Sequence, residues 1–196
     1  CTNNAQVDFT GGTISFNTAK RYGSGVYISP LSSGAFNMSG GAKADTNNDV
    51  YLDDGTKIRA DSNLNPPGGF TARITVPDDK YQPITQVLLA GTGVTLENET
   101  YKFAVTPQTS PAQQWTVGRN GHLKEGRYTE VPHGQLEAYL ANASSTEVNY
   151  IEVTGISAAD LTGSYGSPPD PGALGQKIKN NSSKKVALKL PAGLSV

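Results

Sequence analysis

The strand signals in the first part of this chain are too short to stand alone, and that shortness limits the possible folds more than any other feature. Val7-Asp8-Phe9, Thr13-Ile14-Ser15-Phe16, Val26-Tyr27-Ile28, Phe36-Asn37-Met38, Val50-Tyr51-Leu52, Lys57-Ile58-Arg59 and Ala72-Arg73-Ile74-Thr75-Val76 each run three to five residues. Between them lie Gly11-Gly12, Gly23-Ser24-Gly25, Gly40-Gly41, Asn47-Asn48-Asp49 and Asp53-Asp54-Gly55. Glycine and asparagine supply the left-handed backbone that tight corners need. A lone hairpin of such strands is not stable in water. Stacked as successive rungs they hold, because each inward aliphatic side chain covers the one below it. Composition agrees, with 22 Gly and 12 Pro among 196 residues and only 17% charged side chains. A net charge of −1 with clustered apolar residues argues against disorder.

The corners recur. Phe9-Thr10-Gly11-Gly12-Thr13 matches Met38-Ser39-Gly40-Gly41-Ala42, and Gly23-Ser24-Gly25-Val26-Tyr27-Ile28 matches Asn48-Asp49-Val50-Tyr51-Leu52. The fold class expected is mainly β with a smaller α/β part: a short right-handed parallel β-helix over residues 1–125, closed by a β cap. An antiparallel sandwich is the alternative, since the repeat is imperfect. The cap is expected from Gln86-Val87-Leu88-Leu89, Tyr101-Lys102-Phe103-Ala104-Val105, Trp115-Thr116-Val117 and His122-Leu123, with Asn120-Gly121 as a two-residue hairpin turn. Trp115 and Tyr101 are expected to bury their rings over a thin core, with carbohydrate stacking the lesser reading of Trp115.

Residues 126–196 carry a duplication. Leu136, Leu140, Asn142, Ser144, Ser145, Val148, Gly155 and Ser157 align without gaps to Leu174, Ile178, Asn180, Ser182, Ser183, Val186, Gly193 and Ser195, with seven identities over 22 positions at one offset of 38. Leucines four apart share a helix face, and the Asn-Ser-Ser run ends the helix. The strands Val148-Asn149-Tyr150-Ile151-Glu152-Val153 and Val186-Ala187-Leu188-Lys189-Leu190 follow. Two tandem helix–strand units, 136–157 and 174–195, favour parallel strands with crossover helices.

Two resemblances rest on these residues. Gly11-Gly12-Thr13-Ile14-Ser15, Asn17-Thr18-Ala19, Gly23-Ser24-Gly25-Val26-Tyr27-Ile28 and Phe36-Asn37-Met38-Ser39-Gly40-Gly41 resemble the repeats of polymorphic-outer-membrane-type β-helix surface proteins. Asn48-Asp49-Val50-Tyr51-Leu52, with Gly55 and Ile58, looks like the last rung of such arrays in spirochete surface lipoproteins. Lys184-Lys185-Val186-Ala187-Leu188-Lys189-Leu190-Pro191 resembles the strand edge in the opening region of leucine-rich-repeat surface antigens. Both resemblances imply surface display, with adhesion as the usual role. The chain departs from both: only about two degenerate β-helix repeats are visible, and no Leu-x-x-Leu-x-Leu series follows.

Chemistry is sparse. The single cysteine is Cys1, so no disulfide forms within the chain and no pair of Cys ligands exists. Cys1 reads as the lipid-modified first residue of a mature bacterial lipoprotein on a polar tether, or else as a fragment boundary. His122 and His133 have no metal-ligand spacing, and His133 reads as a surface loop or helix-start residue. Asp45, Asp49, Asp53 and Asp54 are the one carboxylate concentration. They read as turn residues first, with calcium or acid/base work as lesser readings. Lys177, Lys179, Lys184, Lys185 and Lys189 read as a solvated face. Nucleotide loops and serine elbows are absent from the sequence.

The expected function is a cell-surface binding or display protein, lipid-anchored to the outer membrane, without catalysis, cofactor or metal. It is expected to act as a monomer on a host protein or glycan, with no nucleic-acid partner and no membrane contact beyond the Cys1 anchor. Exposed loops such as Lys20-Arg21-Tyr22 and residues 63–69 are candidate contacts. One alternative is a degenerate carbohydrate-active β-helix enzyme using Asp49, Asp53 or Asp54; another is a structural spacer.

Overall fold

The structure is a computed structural model and describes residues 6–30, 36–61, 64–164, 170 and 172–194. Among the described residues strand predominates over helix, and the larger sheets are parallel. Two compact units divide the chain, Cys1–Arg127 and Tyr128–Val196. The first unit runs two residues past the boundary read from sequence. The reason is a ladder: Glu125 still pairs with Trp115, and the Gly126 amide donates to the Gln114 carbonyl at 2.8 Å.

The first unit contains β1 (Val7–Phe9), β2 (Thr13–Ile14), β3 (Val26–Ile28), β4 (Phe36–Met38), β5 (Lys43–Ala44), β6 (Asp49–Leu52), β7 (Ile58–Ala60), β8 (Ala72–Thr75), β9 (Leu88–Ala90) and β10 (Phe103–Val105). Two hairpins follow, β11 (Gln108–Thr109) with β12 (Ala112–Gln113), and β13 (Trp115–Val117) with β14 (Leu123–Glu125). Strands β1, β4, β7 and β9 form one parallel ladder, β3, β6, β8 and β10 a second, and β2 with β5 a short third. Successive strands of each ladder come from successive passages of the chain: Val7 pairs with Phe36, Phe36 with Ile58, and Ile58 with Leu88.

Register places the core. On the second ladder Val26, Val50, Ile74 and Val105 form one inward column, and the last three are buried. On the first, Phe36, Ile58 and Leu88 do the same. Alanines 42, 44, 60 and 72 are fully buried, so small residues alternate with large ones across a narrow interior. Removing an aliphatic side chain such as Ile58 from water stabilises the fold by about 1.5–3 kcal/mol.

The far end of the ladders is covered by β13 and β14. The carbonyl of Gly121 accepts from the Val87 and Leu88 amides at 2.9 and 3.0 Å, and the Leu123 amide donates to the Thr85 carbonyl at 2.8 Å. The turn differs from the two-residue hairpin read from Asn120-Gly121. The Gly118 amide donates to the His122 carbonyl at 2.8 Å, which leaves Arg119, Asn120 and Gly121 as a three-residue loop. Gly121 takes the left-handed backbone that closes such loops, with φ at 81°. Docking against Leu88 decides between the two turns, and a local dipeptide signal does not contain that information.

The second unit is a three-stranded parallel sheet in the order β15 (Thr129–Pro132), β16 (Val148–Thr154), β17 (Lys185–Lys189). Helix α1 (Leu136–Asn142) connects the first pair; α2 (Ala158–Leu161) and α3 (Gly172–Asn180) connect the second. The sequence pattern points to two strands, and β15 is the addition. It is four residues with one buried side chain, Val131, and it ends in Pro132, a residue that reads against strand. Val131, Leu136, Leu140, Ile151 and Val153 are buried to 0% exposure and make its core.

The duplication holds differently in its two halves. Both helices end at the matched asparagines, Asn142 and Asn180. The strands, however, pair Val148 with Lys185 and Ile151 with Leu188, one residue short of the sequence offset. Side chains alternate between faces, so a slip of one residue exchanges them. The paired register sets Leu188 beside buried Ile151, whereas the aligned register would set charged Lys189 there.

Candidate functional site

The outer face of the ladder β3-β6-β8-β10 carries the most exposed aromatic surface with a defined geometry. It follows from strand alternation: Val26 and Ile28 turn inward, so Tyr27 turns outward, and Tyr51 sits in register beneath it. Tyr51 in turn pairs with Thr75, whose Oγ1 lies 2.7 Å from Oγ1 of Thr106. The column therefore reads Tyr27, Tyr51, Thr75, Thr106. Every one of those side chains carries a hydroxyl.

A corner loop adds a third ring. Residues 15–25 form a longer connection than the matching turn from Ala44 to Asp49, and Tyr22 folds back onto the face. Its ring stacks on Tyr51 with centroids 4.5 Å apart and an interplanar angle of 28°. Tyr27 stacks on Tyr51 at 5.7 Å and 18°. Gly23 makes this return possible, since it has φ at 66° and a Cβ there would lie 2.5 Å from the Val26 carbonyl oxygen. Tyr51 is 6% exposed between its neighbours, while Tyr22 and Tyr27 are 57% and 45% exposed. Burial pushes the Tyr51 phenol up to about 12, helped by the nearby charges of Asp53 and Asp78.

The acidic residues read from sequence divide between this rim and ordinary turn work. Asp49 Oδ1 accepts from both the amide and the hydroxyl of Ser24 at 2.7 Å, and the Asp49 amide donates back to the Ser24 hydroxyl. Asp53 Oδ2 accepts from the Tyr27 hydroxyl at 2.5 Å, which raises the Tyr27 phenol, and Oδ1 accepts from the Asp54 amide. Asp54 lies 2.7 Å from Lys80 Nζ, and Asp45 accepts from the Thr46 amide at 3.0 Å. Four residues of extended chain place Asp49 and Asp53 roughly 13 Å apart. Paired carboxylates in glycoside hydrolysis stand about 5–10 Å apart. Among the described residues no group of three His, Cys, Asp or Glu side chains is placed to hold a metal.

Other candidates are placed as follows. Trp115 is buried, its indole N–H donating to Gln108 Oε1 at 3.2 Å, so core packing and not ligand stacking occupies it. His122 lies in the hairpin loop, with Nδ1 3.3 Å from the Asn120 carbonyl. His133 begins the turn before α1, the helix-start half of its sequence reading, with its side chain 13% exposed. Its Nδ1 is 3.6 Å from Asp160 Oδ1, and its Nε2 is buried without a hydrogen-bond partner. Two lysines of the second unit bind backbone: Lys184 Nζ donates to the Ala143 carbonyl at 2.7 Å, Lys185 Nζ to that of Thr146 at 3.0 Å. Lys189 pairs with Glu152. Of the loop 63–69, Leu64 is buried while Asn65, Pro67 and Gly68 are exposed. Cys1, the lipidation candidate, and Asn63 lie outside the described residues.

The sequence pointed to Lys20-Arg21-Tyr22 as an exposed loop and to Tyr27 and Tyr51 as matched strand positions. It did not join them, because stacking across neighbouring strands depends on a register that sequence spacing leaves open. Phe16, read from sequence as the end of a strand, lies beyond β2: it is 97% exposed with φ at 58°, a left-handed backbone unusual for an aromatic residue. Among the described residues, no helix is long and apolar enough to cross a membrane. No protein family, curated protein or solved structure matches the chain.

Proposed function

We propose that this chain is a non-catalytic binding and display protein of a bacterial cell surface, its first unit a short right-handed parallel β-helix. The right-handed assignment follows the near-universal hand of parallel crossovers in one sheet. The second unit, in this reading, is a minimal relative of leucine-rich-repeat modules, with crossover helices on parallel strands. Lipid attachment at Cys1 would hold the protein to the outer membrane as a monomer facing outward, toward a host protein or glycan and away from nucleic acid.

The observation that carries the binding reading is the outward aromatic stack of Tyr22, Tyr51 and Tyr27 on a rigid ladder. Tyr22 and Tyr27 cover Tyr51 yet stay about half exposed themselves, and clustered exposed rings of this kind suit a contact surface. The alternative of a degenerate glycosidase has less support, because Asp49 is occupied by Ser24 and stands far from Asp53.

Fluorescently labelled full chain added to cultured epithelial cells tests the reading. Saturable cell binding, with no reducing ends released from cell-surface glycans, is the expected result. Failure to bind, or glycan turnover that Asp53→Asn abolishes, would overturn it. Mass spectrometry of the native protein tests the anchor separately: an unmodified Cys1 or a longer N-terminal extension removes it.

A further inference from the structure

The surface-binding reading leaves the ligand open, and the chemistry of the tyrosine face narrows it. Tyr51 is the middle ring of the stack, so Tyr22 and Tyr27 each keep a ring face that Tyr51 does not cover. Tyr81, Trp115, Phe36 and Phe103 in the same unit are all 7% exposed or less, whereas Phe16, at 97%, is exposed in the loop after β2. An aromatic face is electron-rich and attracts the weakly positive C–H groups of a flat saturated ring. Hydroxyls continue from the rings along the face through Thr75 and Thr106. Rungs repeat every 4.7–4.9 Å or so, about the length of one pyranose unit in a chain.

Charge at the rim selects further. Asp53 hydrogen-bonds Tyr27, and Asp54 and Asp79 share Lys80, so the cation nearest those carboxylates is already taken up. Carboxylates accept hydrogen bonds from sugar hydroxyls and repel sulfate or carboxylate groups. Lys20 and Arg21 precede Tyr22 on the exposed loop, and Arg73 shares the outward side of β8 with Thr75; these cations would favour an acidic ligand and stand against the carboxylates of Asp53, Asp54 and Asp79. A cage for a quaternary ammonium group requires rings set steeply around a void, and interplanar angles of 18° and 28° do not make one.

We propose that this face binds a chain of neutral hexoses, with a pyranose stacked on Tyr22, the more exposed ring, and the following units laid along the threonine column. The proposal rests on the surface-binding reading and specifies its partner.

Isothermal titration of the full chain with cellohexaose, mannohexaose and a sulfated heparin hexasaccharide tests it. Binding of at least one neutral hexasaccharide, weakened at least tenfold by Tyr22→Ala, is the expected result. Tyr27→Phe keeps the ring and loses the bond to Asp53; it is expected to weaken binding less than Tyr22→Ala does. Phe16→Ala serves as a control that leaves binding unchanged. Saturation-transfer NMR on the unaltered chain, reading transfer from tyrosine protons to the sugar, gives the same answer without any variant. Preference for the sulfated sugar, absence of neutral binding, or neutral binding indifferent to Tyr22→Ala would each overturn the proposal. Cell binding that persists while neutral hexasaccharides fail to compete would sink the glycan proposal and leave the surface-binding reading standing.

Discussion

Asn48 shows how single buried polar residues hold the corners of the first unit. It is 1% exposed, its Nδ2 donates to the Asn17 and Asn47 carbonyls at 2.9 Å, and its Oδ1 accepts from the Asn17 amide at 3.2 Å. Asn48→Ala leaves these groups unsatisfied and is expected to cost about 1–3 kcal/mol in urea unfolding. Glycine positions separate by what surrounds them. A Cβ at Gly121 would meet the Leu88 carbonyl oxygen at 2.3 Å, whereas one at Gly12 (φ 88°) meets nothing within 4 Å. Gly12→Ala should therefore cost about 1–2 kcal/mol from backbone strain alone. Gly121→Ala should cost clearly more, and a smaller loss at Gly121 than at Gly12 would refute the docking role given to the hairpin. The phenols of Tyr51, Tyr81 and Tyr101 are pushed up to about 12, burial being the main cause for each. Unfolded tyrosine ionises near pH 10. Folding keeps these protons where the unfolded chain loses them, so the stabilisation is whole below pH 10 and drains away between pH 10 and 12. Unfolding measured across that range should show the decline, and Tyr81→Phe should make it shallower.

Elements here are held by a few connections that no propensity scale anticipates. Glu99 and Lys102 form a salt bridge at 2.9 Å with side chains 4% and 13% exposed. They also tie down buried Leu64: its amide donates to Glu99 Oε2 at 3.2 Å, and its carbonyl accepts from Lys102 Nζ at 2.5 Å. Removing one partner of a buried pair strands the other. Glu99→Ala is expected to destabilise by about 3–5 kcal/mol, with the double change Glu99→Leu/Lys102→Met recovering much of it. A double variant no more stable than Glu99→Ala would show the loss to be packing and not charge. In the second unit, α2 has four residues and depends on its capping box: the Ser157 amide and hydroxyl donate to Asp160 Oδ2 at 2.8 and 2.6 Å. These bonds lower the Asp160 carboxyl below the ordinary aspartate range, so their support is present above the unfolded value and is lost as pH falls through the folded one. Ser157→Ala should cost about 1 kcal/mol at neutral pH, and that difference should shrink in acid.

At the scale of the whole molecule, cooperative behaviour should follow the two compact units, Cys1–Arg127 and Tyr128–Val196. Their cores draw on separate residues, centred on Met38, Ile58, Ile74 and Leu88 in the first and on Leu136, Leu140 and Ile151 in the second. Native-state hydrogen exchange with rising denaturant should resolve two opening isotherms, one for the amides of β6 to β8 and another for β16. A single isotherm shared by both sets would make the chain one folding unit.

Sequence alone determined that the strands are short and that glycine-marked corners separate them, because glycine placement is local and leaves its mark on neighbouring positions, while the bounds shifted at β2 (Thr13–Ile14) and β10 (Phe103–Val105). Val26-Tyr27-Ile28 and Val50-Tyr51-Leu52 could be matched by eye, and the ladder pairs them residue for residue. It also marked the helix ends at Asn142 and Asn180. What it left open was register and everything built on register. The one-residue slip between β16 and β17, the three-residue turn at Gly121 and the stacking of Tyr22 on Tyr51 are contacts between segments far apart in the chain. Each is chosen by which pairing buries an aliphatic side chain or satisfies a backbone amide, and that comparison exists only once the segments meet. The tyrosine face became visible for the same reason: its residues are spread from 22 to 106, and only the pairing of strands far apart in the chain makes them neighbours.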